Sequence, residues 1–68
     1  MNKTETIRII EALLFATPEP LTQKKINLIF NPDIINLKKI IHQLNNQYLK
    51  EKHAFEIKNI AGGFQLVS

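Results

Sequence analysis

The apolar residues of this chain change their period once, and that change restricts the fold more than any other feature. Through about the first fifty residues they recur at the three- and four-residue spacing of helices, and from Phe55 they alternate. The closing stretch FEIKNIAGGFQLVS is therefore read as a β-hairpin. Gly62-Gly63 is taken as its two-residue turn, because such turns need positive φ and favour glycine. In that register Ala61 faces Phe64 and Asn59 faces Leu66. One sheet face then carries Phe55, Ile57, Ala61, Phe64 and Leu66, and the other Glu56, Lys58, Ile60, Gln65 and Val67. A two-stranded hairpin does not persist alone in water, so its apolar face must lie on the helices.

The helical part divides at its prolines. The first helix is predicted over Thr4 to Ala16, with Thr4 as N-cap and Glu5 favourable in the first turn. Pro18 and Pro20 exclude its continuation. Thr22 caps a short second helix, QKKINLIF, whose inner face holds Ile26, Ile29 and Phe30. Pro32 ends it, and Asp33 is read as the N-cap of a third helix ending near Leu49. There Leu37, Ile40, Ile41, Leu44 and Tyr48 form a narrow apolar stripe, opposite Lys39, His42, Asn46 and Lys50. Three helices followed by a hairpin is the element order of a winged helix-turn-helix. The expected fold is mainly α with a small β-hairpin, with residues 1–68 forming one domain.

A domain of 68 residues buries a small core and commonly needs support from disulfides, a metal or a partner chain. The chain has no cysteine, which removes disulfides and thiolate zinc sites and leaves self-association. The first helix is where the sequence points. Ile7, Ile9, Ile10, Ala12, Leu13, Leu14 and Ala16 cover well over half of its circumference, whereas a surface helix needs an apolar stripe of little more than ~100°. Phe15 adds to this from the polar side, between Arg8 and Glu11. Either the wing covers the surplus or a second copy of the chain does. For the second case the contact set is Ile7, Arg8, Glu11, Leu14 and Phe15, with Arg8 and Glu11 placed to pair across a two-fold axis.

The sequence carries no carboxylate pair, serine–histidine–acid set or phosphate-binding glycine loop, so no enzyme and no cofactor are expected. Gly62-Gly63 lies between strands, not between a strand and a helix. His42 falls on the polar face of the third helix and His53 in the loop before the hairpin, with too few neighbouring carboxylates for a metal site. No run approaches the ~18 apolar residues of a membrane span, and Met1 opens no signal-peptide pattern. The chain reads as soluble and cytoplasmic.

The net charge is +3, from a set in which lysine outnumbers arginine eight to one. With abundant isoleucine and asparagine, that usage fits AT-rich codons. Arginine is the commoner reader of guanine, and Arg8 is the only one. The competing reading is a small DNA-binding regulator whose third helix turns Lys38, Lys39, His42, Asn46 and Lys50 to the duplex. Ile35 within that face is more natural at a protein contact, and DNA binding is expected to be at most weak and non-specific.

Three motifs in order resemble one family, segregation and condensation protein B (ScpB), over about residues 5 to 68. Its first winged helix opens with a glutamate–alanine–aliphatic–aliphatic–aromatic–alanine run, matched by Glu11 to Ala16. Its step into the second helix is matched by Pro20-Leu21, and its wing turn by Ala61-Gly62-Gly63-Phe64. The resemblance implies a non-enzymatic subunit that homodimerises through this domain. With the kleisin ScpA, and through it an SMC ATPase, such a subunit condenses and partitions the bacterial chromosome at the nucleoid. The family has a second winged helix that supplies much of the kleisin contact. The chain stops where the first ends, so a fragment or truncated gene product is expected, and the kleisin contact belongs to the full-length protein.

Overall fold

A computed structural model describes residues 2–30 and 35–68. Helix α1 spans Lys3–Ala16, α2 Gln23–Ile29 and α3 Leu37–Lys50. Strands β1 (Glu56–Ile60) and β2 (Gly63–Val67) pair antiparallel. This is the mainly helical winged-helix order that the change of period predicts. The α3 stripe is buried at every position, Leu37, Ile40, Ile41, Leu44 and Tyr48. It meets Ile10 and Leu14 of α1, Ile26 of α2, Leu21 and Ile57 in one cluster. Each such side chain contributes roughly 1.5–3 kcal/mol by leaving water.

Three helix starts show how local chemistry sets boundaries. Asn2, not Thr4, caps α1. Its Oδ1 accepts from the Glu5 N–H at 2.8 Å, and its amide donates to the Glu5 carboxylate at 3.1 Å. The reciprocal pair satisfies an orphan donor and places the acid at the positive helix end, which Thr4 as cap could not do with residue 7 being Ile. Thr22 caps α2 as expected. Asp33 lies outside the described residues. The helix it was assigned to begins at Leu37, capped by Asn36 through the Lys39 N–H. Gln23 adds a tertiary cap, its Oε1 accepting from the Leu37 N–H at 2.8 Å.

Within α2, Ile26 is fully buried and Phe30 packs on the core, but Ile29 is 52 % exposed. Relative to Ile26, residue 29 lies about 60° to one side and residue 30 about 40° to the other. The core contact falls on the Phe30 side. Helix α3 ends in a Schellman-type turn, with the His53 N–H on the Tyr48 carbonyl and the Lys52 N–H on that of Leu49. Lys52 takes the left-handed position, φ 56°, that glycine usually fills.

The hairpin corrects the expected register. Ile60 pairs with Gly63, Asn59 with Phe64 and Ile57 with Leu66, so the turn is Ala61-Gly62. Both turn residues have positive φ, 51° and 78°. The pairing differs from the expected one by two residues along the strand. A shift of two keeps the strand side chains on their faces, so Ile57, Phe64 and Leu66 still point to the core side, whereas Ala61, expected on that face, lies exposed in the turn.

Gly63 serves a different need. A Cβ there would lie 2.7 Å from Pro20 Cβ and 3.0 Å from the Leu21 carbonyl oxygen. That close approach lets Leu21 and Phe64 exchange both backbone hydrogen bonds, each 2.8 Å, so the segment before α2 joins β2 through a single antiparallel bridge.

The two glycines are therefore expected to respond differently to alanine. Gly62→Ala meets nothing within 4 Å and carries backbone strain alone, about 1 kcal/mol. Gly63→Ala must push β2 from Pro20-Leu21 and should cost about 2–3 kcal/mol. Urea denaturation of the two variants checks the order; equal losses would contradict this division of roles.

Candidate interaction surface

On α1 the surplus apolar surface is divided. Ile10 and Leu14 are buried, Ile7, Ile9 and Leu13 are half-buried, and Ala12, Phe15 and Ala16 are exposed. The wing supplies part of the cover, since β2 packs on α1 and Gln65 Nε2 donates to the Pro18 carbonyl at 2.8 Å. Leu14 therefore belongs to the core and lies outside any contact surface. Ile7, Arg8, Glu11 and Phe15 stay together at the surface, lining with Gln43 and Gln47 of α3 a shallow concavity of about 570 Å³.

Phe15 stands at the margin of this concavity, 56 % exposed. Its ring meets Phe55 edge-on at 5.5 Å, and Phe55 in turn meets Tyr48 edge-on and stacks on His53, both at 4.8 Å. Such pairs hold rings at fixed angles, so Phe15 is exposed yet oriented. Glu11 is engaged within the chain, accepting from the Tyr48 hydroxyl at 2.5 Å. Burial first, then the Glu11 hydrogen bond and the charges of Glu11 and Glu51, push the Tyr48 phenol far above its ordinary value. The expected Arg8–Glu11 pairing across an axis must therefore share a carboxylate already bound to Tyr48.

The residues of the DNA-facing reading separate. Lys39, His42, Asn46 and Lys50 form an exposed stripe along α3. Lys38, Lys39 and His42 line a groove toward the wing, whereas Asn46 lines a different depression beside Phe55. Ile35 precedes α3 and packs against the core, so it is not part of that face. Of the two glycines read as the wing turn, Gly62 lies in the turn and Gly63 opens β2. Asn45 went unnoticed in the sequence. Its side-chain amide accepts from the Ile57 N–H at 2.8 Å and donates to the Ile57 carbonyl at 2.9 Å. An asparagine between two buried helix positions was the available signal, and nothing local named its partner. Among the described residues no group of three or more acidic or histidine side chains could hold a metal ion, and no helix is long and apolar enough to cross a membrane.

The model of one protein family, described as segregation and condensation complex subunit ScpB, matches residues 8–68. The chain belongs to the ScpB family. It is similar to segregation and condensation protein B of Syntrophotalea carbinolica, 33 % identical over 97 % of this chain and 34 % of the relative. It is also similar to the protein of that description from Clostridium tetani, 34 % identical over 98 % of this chain and 35 % of the relative. The chain thus spans about a third of the length of these ScpB relatives. A crystal structure of a conserved hypothetical protein from Chlorobium tepidum superposes with a TM-score of 0.80 at 29 % identity, covering 96 % of this chain and 41 % of the other. The matched region holds Arg8, Glu11 and Phe15 of α1, the Tyr48–Glu11 bond and the wing of this ScpB-family chain.

The Tyr48 environment gives a clean optical test, because the chain has one tyrosine and no tryptophan. The folded state holds the phenol proton more tightly than the unfolded one. Stability from this group is therefore intact below the ordinary value of 10.0 and declines as pH rises above it. Phenolate absorbance should appear above that value and together with unfolding. Tyr48→Phe should remove this component of the alkaline loss and lower neutral-pH stability by about 1.5 kcal/mol. Titration at the ordinary value in the folded chain would disprove the arrangement.

Proposed function

We propose that this chain is the winged-helix homodimerisation unit of a ScpB-type subunit, acting in the complex that condenses and segregates the bacterial chromosome. The observation that carries the reading is Phe15, an aromatic ring more than half exposed on α1 yet held in place by Phe55, beside the concavity lined by Ile7, Arg8 and Glu11. An exposed, oriented aromatic ring beside a concavity suits an interaction site, and a two-fold contact strikes the same patch twice. Family membership supports the setting: a cytoplasmic, nucleoid-associated subunit without enzymatic activity, joined through the kleisin ScpA to an SMC ATPase in the full-length protein. Residues 1–68 act as one domain in this reading, the first of the two winged helices of the family.

Light scattering at tens of micromolar should give the mass of a dimer. Phe15→Glu should yield a monomer with unchanged helical dichroism, since central aromatic anchors carry ~2 kcal/mol or more of such contacts. A monomeric mass for the unmodified chain would rule out the dimer unit. A dimer that persists in Phe15→Glu would move the interface away from α1.

A further inference from the structure

A second concavity runs between α3 and the wing and shares no lining residue with the one on α1. Its floor is apolar, offered chiefly by half-buried Phe64 above the core residues Ile41 and Ile57, each 4 % exposed. Its rim is cationic, with Lys38 and Lys39 beside His42, and among the described residues no carboxylate lines it. Elsewhere Lys25, Lys58 and His53 are neighboured by Glu19, Glu56 and Glu51. Among the described residues neither Lys38 nor Lys39 makes an ion pair, so the described lining of the groove sets two lysine ammonium groups around an apolar floor. The two walls are fixed relative to each other: the Asn45 amide ties Ile57 of β1 to α3 through two hydrogen bonds. A preformed groove of about 460 Å³ has room for bulky apolar side chains without reordering.

We infer that this groove receives an acidic amphipathic segment of a partner protein, its apolar side chains resting on Ile41, Ile57 and Phe64 and its carboxylates reaching Lys38 and Lys39. A helix lying in an apolar groove, with charge matched at the rim, is a recurrent way of recognising a peptide. Duplex DNA uses these features less well. Phosphates gain nothing from an apolar floor, and the one guanidinium, that of Arg8, sits on α1. The inference is independent of self-association through α1.

The test is selection of the unmodified chain against a display library of random peptides of about fifteen residues, long enough to form a helix on binding. Enriched peptides should combine Asp or Glu with Leu, Ile or Phe at helical spacing. The double variant Lys38→Glu/Lys39→Glu should bind them about tenfold more weakly or worse, and Phe15→Glu should bind them as the unmodified chain does. Both lysines are exposed, and dichroism verifies the fold; Lys38→Gln/Lys39→Gln with a salt series replaces the charge reversal if that variant does not fold. No enrichment, a consensus lacking acidic residues, or affinity indifferent to both lysine variants overturns the inference. So does a random duplex that displaces the enriched peptides at physiological salt.

Discussion

The contact between Leu21 and Phe64 is what makes one structure out of three helices and a hairpin. Two backbone hydrogen bonds of 2.8 Å join a residue just before α2 to one at the start of β2. They form because Gly63 lets the strand come against Pro20 with no side chain between. A hairpin of five-residue strands is unstable by itself. Tied at this point, it brings Ile57, Phe64 and Leu66 onto the helices and completes a core otherwise open on one side.

The opposite edge of the wing is secured by side-chain chemistry. Strand β1 is an edge strand, whose free main-chain groups invite pairing with other chains. Asn45 occupies that edge at Ile57 as a neighbouring strand's peptide group would. The wing is thus held by main chain at Leu21 and by a helix side chain at Asn45, and both the α1 and the α3 concavities depend on that placement. Phe55, just before β1, orients Phe15, while Ile57 and Phe64 floor the α3 groove.

The two surfaces differ in kind. The α1 concavity carries Arg8 and Glu11 together with an exposed aromatic ring, a mixture suited to meeting a copy of itself. Among the described residues the α3 groove is lined by positive charge without a carboxylate and suits an unlike partner. A winged helix that read DNA through α3 would use one polar, convex face; here the lysines nearest the wing line a concavity with an apolar floor, and Asn46 lies outside it.

Periodicity by itself determined the order of elements, the buried stripe of α3 from Leu37 to Tyr48 and the faces of Ile57, Phe64 and Leu66 in the hairpin. These depend on residues a few positions apart, and a strand shifted by two keeps its faces. The exposure of Phe15 was legible for the same reason, since its neighbours at helical spacing are Arg8 and Glu11. Only the tertiary structure decided which glycine turns the chain and which allows a close approach, because Pro20 is far from Gly63 along the chain. It likewise decided that Leu14 faces inward, that Ile29 faces out, and that Glu11 belongs to Tyr48, 37 residues away. Those outcomes rest on contacts between distant residues, where shape and hydrogen-bond geometry choose among faces that local pattern leaves equivalent.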